Sequence, residues 1–149
     1  MKSKLLIVAI LAVILCGCKK EGVAGTESNP YTVAQARDAV KDLTWTSNTV
    51  YEKTDVVYVK GIISRIVSNG NYAASGTYGN ASFYISDDGT ENNELFCYRM
   101  LYLGNQKFSD GRDIKVGDNV IICGELMNYR NDTPETVSEK AYLYSLILK

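Results

Sequence analysis

Aromatic rings are the side chains with which this sequence has most to offer a ligand. Tyr84, Phe96 and Tyr98 fall in alternating apolar segments, Tyr72 and Tyr78 in a stretch of Gly, Ser, Asn and Ala, and Tyr129 directly before Arg130. Aromatic faces stack on nucleic-acid bases at roughly 1–3 kcal/mol per base, and they receive the CH-rich faces of sugar rings equally well. Tyrosine also favours half-buried sheet surfaces without binding anything. Two tyrosines inside a small-residue loop are not explained by that preference and weigh toward binding. Arg99 and Arg130 would stand at the rim of such a surface, Arg99 suited to pairing with a carboxylate.

Groups for covalent or acid–base chemistry are scarce. The 149 residues contain no histidine, which removes His-dependent triads, His general bases and most zinc sites. Asp87, Asp88, Glu91 and Glu94 crowd one turn, but their spacing does not match a calcium-binding loop, and a solvated acidic turn is the simpler reading. There is no Gly-rich phosphate loop, no pair of carboxylates in an evident cleft and no nucleophile elbow. The expectation is a non-catalytic protein with no metal and no cofactor. Lys60, Arg65, Lys107, Arg112 and Lys115 are scattered, and the net charge is −1. A surface built to grip a phosphate backbone shows the opposite bias.

The elements that would position the rings are mostly strands. Thr32 caps a helix through Leu43, with Gln35 completing a capping box and Val33, Ala36, Ala39, Val40 and Leu43 on one face. A first strand spans Val56–Val67, interrupted by Gly61. Ser68–Asn80 is a long loop, and Ala81–Ser86 alternates cleanly before the turn Asp87-Asp88-Gly89. Leu95–Leu103 is the third strand. A polar segment, Gly104–Lys115, leads through Val116-Gly117-Asp118 to the fourth strand, Asn119–Met127, with Gly124 at its centre. A loop, Asn128–Glu135, precedes a fifth strand ending near Leu148. Glycines midway along the first and fourth strands suit the kinks that a narrow closed barrel requires. The fold class is therefore all-β with one N-terminal helix, the strands forming a five-stranded barrel.

Alternation places Tyr84 outward if Phe83 and Ile85 face the core. On the third strand two arrangements are open: Leu95 and Cys97 inward with Phe96 and Tyr98 displayed, or the reverse. The first is preferred because it gathers Tyr84, Phe96 and Tyr98 on one surface, fenced by Tyr72, Tyr78, Tyr129 and Arg130. Cys97 and Cys123 lie in apolar strand-like runs and read as buried free thiols. A bridge between them is permitted outside the cytoplasm but not established by sequence.

The chain begins with a basic Met1–Lys4, an unbroken apolar run from Leu5 to Leu15, and Leu15-Cys16-Gly17-Cys18. That is the pattern of a secretory signal, too short for a membrane span. Leu-x-Gly-Cys resembles the bacterial lipobox. By that resemblance residues 1–17 are a lipoprotein signal peptide and Cys18 is the acylated (palmitate-class) first residue of the mature protein. The polar stretch 18–29 reads as a flexible tether and 30–149 as the folded domain. The implied location is the cell envelope, extracytoplasmic and lipid-anchored to a membrane.

Tyr58-Val59-Lys60-Gly61-Ile62-Ile63, Ala81-Ser82-Phe83-Tyr84-Ile85-Ser86-Asp87-Asp88-Gly89 and Val116-Gly117-Asp118-Asn119-Val120-Ile121-Ile122-Cys123-Gly124-Glu125-Leu126 together resemble the OB-fold of anticodon-binding type. They are most similar to bacterial lipoproteins described as OB-fold, nucleic-acid-binding proteins. The resemblance implies a five-stranded Greek-key barrel that binds on its second and third strands and on the loops joining strands one to two and four to five. The segment between strands three and four is short, so the helix usual there would shrink to a turn. The implied ligand is nominally single-stranded nucleic acid. The net negative charge and envelope address make oligosaccharide or a partner protein equally reasonable, including a structural role in an envelope complex.

Overall fold

A computed structural model of the chain describes residues 22–67, 78–109 and 113–149. The signal peptide, Cys18 and Tyr72 lie outside the described residues, as does Arg112. The elements in chain order are helix α1 (Val33–Val40), a small hairpin β1 (Trp45–Ser47) and β2 (Val50–Tyr51), then β3 (Val57–Ile66), β4 (Ala81–Ser86), β5 (Leu95–Met100), a single 3-10 turn (Leu103–Asn105), β6 (Asn119–Tyr129) and β7 (Thr133–Ile147). The last five strands close a barrel in the order β3-β4-β5-β7-β6. All neighbours are antiparallel except β5 and β7, so the barrel is mixed.

The barrel interior takes alternate residues of each strand: Val59 and Ile63, Phe83 and Ile85, Leu95 and Cys97, Ile122 and Leu126, and Leu143. Of the two arrangements open for the third strand, this is the one with Phe96 and Tyr98 outside. The two cysteines are free. They point to opposite sides of the barrel wall, Cys97 into the core and Cys123 outside that cluster.

One end of the barrel is plugged by α1. Val33, Ala36 and Val40 are fully buried, and the helix contacts β3, β4, β5 and β6. Burying each valine stabilises the fold by about 1.5–3 kcal/mol. Gly61 makes the approach possible, since a Cβ there would lie 3.0 Å from Val33 Cγ2 and 3.1 Å from Ile85. The expected capping box is present: Gln35 N–H donates to Thr32 Oγ1 and Thr32 N–H to Gln35 Oε1. Asp87 adds a second cap, accepting the Val33 and Ala34 N–H groups at 2.7 and 3.0 Å. The expected helix runs three residues too far. It ends at Val40, and Leu43 is held in a following turn by its N–H to the Val40 carbonyl. Ala39 is exposed, because at about 100° per residue it sits a quarter-turn from Val40.

Two segments read as irregular are ordered. Residues 22–29, the last two-thirds of the presumed tether, make a turn against β3, with Gly25 N–H bonded to the Asn29 carbonyl and Tyr58 N–H to the Gly25 carbonyl. The loop expected over 128–135 is a hairpin turn of three residues, 130–132, because Arg130 and Asn131 adopt positive φ (53° and 63°) and let β6 pair with β7 from Tyr129↔Thr133 onward. Between the third and fourth barrel strands the described residues form a 3-10 turn, as expected, and no longer helix.

The barrel's least regular ladder joins β5 to β7, which share one regular Cα pair, Phe96↔Glu135, and an isolated bridge, Leu101↔Tyr142. The fully buried Thr136 fills the gap: Tyr98 N–H donates to its Oγ1 at 2.9 Å. Thr136→Val keeps the shape but orphans that N–H. It is expected to lower the free energy of unfolding by about 1–3 kcal/mol, read as a lower urea midpoint at unchanged slope.

Candidate functional site

Register places one row of side chains across the outside of the whole barrel. Arg65 pairs with Tyr84, Tyr84 with Phe96, Phe96 with Glu135 and Glu135 with Met127. Within the row the rings stack. The Arg65 guanidinium lies 3.6 Å from the Tyr84 ring centre, and Tyr84 and Phe96 are parallel within 16° at 4.4 Å. Tyr98 tilts against Phe96 at 5.5 Å. Aromatic pairs of this kind are worth about 0.5–1.5 kcal/mol beyond their buried area.

Arg65 is clamped by Glu94, its NH2 donating to Oε2 at 2.8 Å and its Nε to Oε1 at 3.0 Å. Ser64 adds a hydroxyl bond to Oε1. Burial pushes the Glu94 carboxyl up, but the bonds from Arg65 and Ser64 outweigh it and hold the group below its ordinary value. The turn read as solvated is thus half structural, Asp87 capping α1 and Glu94 fixing Arg65. Tyr84 is packed within this row, with Arg65 on one side of its ring and Phe96 on the other.

The hairpin β1–β2 turns the rest of this face into a groove. It is anchored by Asn131, whose side chain accepts from Trp45 N–H at 2.7 Å and donates to the Trp45 carbonyl at 3.0 Å. Trp45 meets Tyr129 edge to face at 5.5 Å, and the Arg130 guanidinium sits 5.2 Å over the Tyr129 ring. Between hairpin and barrel lies a groove of 430 Å³, walled by Trp45, Tyr51, Phe96, Tyr98 and Tyr129, with Glu135 also in its lining. That volume falls in the range of small-molecule sites, about 300–1,000 Å³.

Neither the Glu135 carboxyl nor the Trp45 indole N–H has a hydrogen-bond partner among the described residues. Glu135 is 5% exposed, and burial, the one cause acting on it, pushes its carboxyl up to about 7. The Trp45 indole N–H is buried with no acceptor among the described residues. Arg99 also lines the groove, but its guanidinium is engaged by Glu139 at 2.6 Å. Both residues have positive φ, 51° and 58°, and the Ser82 hydroxyl receives the Arg99 N–H that this kink turns away from the ladder.

Of the residues expected to bind, Phe96, Tyr98, Arg99 and Tyr129 converge on the groove. Tyr84 adjoins it through Phe96 and Arg130 through Tyr129. Tyr78 is exposed but is no part of the groove's lining; its neighbour Gly79 packs on Lys107. Sequence reading missed Trp45, Tyr51 and Glu135. The first two had a signal, since Trp45-Thr46-Ser47 and Val50-Tyr51 flank a polar Asn48-Thr49 pair in the manner of a hairpin. Glu135 had none beyond sharing a strand face with Thr133 and Val137.

A larger cavity, 560 Å³, lies beside the start of α1, lined by Thr32, Lys60, Ile62, Asp87 and Ile121 among others, but it contains no aromatic ring. Among the described residues no cluster of His, Cys, Asp or Glu could hold a metal ion. No helix among them is long and apolar enough to cross a membrane. No protein-family model and no curated protein matches this chain.

The Glu135 environment sets a pH dependence. Between the ordinary value of 4.5 and about 7 the folded protein keeps a proton that the unfolded chain has released. Stability therefore falls as pH rises through that window, by about 3 kcal/mol at most, and levels off above it. Glu94 acts in the other direction and lower down, its contribution being lost as pH falls below about 4.5. Glu135→Gln is expected to abolish the decline between pH 5 and 7.5 in urea unfolding series. Parallel curves for variant and parent would show that this carboxyl titrates normally.

Proposed function

We propose that this chain is a non-catalytic binding module of the OB type, held at a membrane by lipid on Cys18, and that it takes an oligosaccharide in the groove between the β1–β2 hairpin and the barrel. The OB reading draws on the strand order, in which the fifth barrel strand inserts between the third and fourth. Barrels of that class bind on the face of their second and third strands and on the turn between the fourth and fifth, which here are β4, β5 and the 130–132 turn.

One observation carries the ligand class: five aromatic rings wall a groove whose lining arginine is already paired. Arg65 beside it is bound to Glu94 and Arg99 to Glu139, and the remaining buried ionisable group, Glu135, offers a phosphate no positive charge. Stacking surface without free positive charge suits an uncharged or positively charged sugar chain better than a nucleic-acid backbone. The rival reading, a structural subunit of an envelope complex, draws on Val116, Ile147 and Leu148, which are 59%, 64% and 65% exposed.

A glycan array on the purified domain, followed by calorimetry, tests this. Oligosaccharide binding is expected to change little with salt, and Trp45→Ala or Phe96→Ala to weaken it about tenfold or more, while Tyr78→Ala leaves it intact. Oligonucleotide affinity that falls steeply as salt rises would instead return the module to nucleic acid. Silence on the array, with a crosslinked envelope protein recovered through Ile147, would favour the structural subunit.

A further inference from the structure

We propose that the sugar recognised in this groove carries a free amine, its ammonium group seated against Glu135 and its apolar CH faces against the aromatic walls. The inference rests on the oligosaccharide reading above and deepens it. A buried carboxyl without a hydrogen-bond donor is unusual, because desolvating the charged form costs several kcal/mol per ion unless a partner offsets it. Glu135 has no such partner among the described residues. Its row neighbours are Phe96 on β5 and Met127 on β6, and the charged residue sharing the groove, Arg99, is turned to Glu139. A cationic ligand supplies the counter-charge that these residues do not.

The walls point the same way. Ammonium groups are attracted to the faces of Trp, Tyr and Phe as well as to carboxylate, and Trp45, Tyr51, Phe96, Tyr98 and Tyr129 enclose the space around Glu135. An amino sugar presents an amine, vicinal hydroxyls and apolar CH faces on one compact ring, so the cation and the stacking surface arrive together. A neutral acetylated sugar offers hydroxyl and amide donors to the carboxyl but no counter-charge.

Calorimetry with a β-1,4-linked glucosamine tetramer and its fully N-acetylated counterpart at pH 7 decides the matter. The free-amine tetramer is expected to bind about thirtyfold tighter or more, and Glu135→Gln to erase that preference. Carbon-detected NMR of the unaltered protein provides a readout independent of the variant's folding, since the amine tetramer should shift Glu135 titration to lower pH and the acetylated one should not. Equal affinity for the two tetramers, or an unchanged preference in Glu135→Gln, overturns the amine assignment and leaves the sugar reading standing. Binding of neither tetramer and of no glycan on the array overturns both.

Discussion

The β5–β7 seam governs the geometry of everything on the barrel's outer face. Parallel strands here share a single regular pair, so the side chain of Thr136 stands in for a ladder bond by receiving the Tyr98 N–H. Strand side chains alternate, and a slip of one residue would send every one of them to the other face. With Thr136 locked inside, Glu135 and Val137 are forced out beside Phe96 and Tyr98. Were the seam to move by one position, the glutamate would enter the core and the threonine would face the groove. The same hydroxyl that closes the barrel thus fixes which acid meets the aromatic row.

Closure at the seam has a counterpart at the barrel's end. Among its described residues the connection between β5 and β6 carries a 3-10 turn and no longer helix. The N-terminal α1 fills the barrel's end, and it does so by long-range contacts: Asp87, at the end of β4, caps its first turn, and Gly61 on β3 removes the Cβ that would hold it off. Arg37 from the same helix donates to the carbonyl of Glu94, whose side chain holds Arg65 over Tyr84. Helix, turn and aromatic row are consequently one connected arrangement, and the acidic turn is where they meet.

Local pattern made most of the barrel legible. Alternation in Ala81–Ser86 and the central glycines of β3 and β6 report the period of a strand and the need for close approach. At Gly124 a Cβ would stand 2.4 Å from that of Ala141, so no other residue suits the crossing. The groove was half legible. Phe96, Tyr98 and Tyr129 declare themselves by ring and position, but the wall opposite them does not. Strands of three and two residues are too short for a periodic signal, and the hairpin's anchor, Asn131, lies 86 residues further along the chain. Glu135 was invisible for a related reason, since nothing about a glutamate in an alternating strand says that a distant hairpin will bury it. Tyr84 shows the converse: ring and outward direction were legible, but not that a neighbouring arginine and phenylalanine would pack on its two sides.

The retention of an unpartnered acid in such a place has a physical consequence for how stability and function are divided. A glutamine would fit the same space without the cost of a charge, and the barrel's core and seam make no use of the carboxylate. Sites that violate the rule of paired buried polar groups are where structure gives way to binding. Here two such groups, the Glu135 carboxyl and the Trp45 indole N–H, belong to residues that line one aromatic-walled groove, while Arg65 and Arg99 are paired with Glu94 and Glu139. Under the proposal above, pairing those arginines internally and leaving the glutamate bare disfavours anions and favours a ligand that brings its own positive charge.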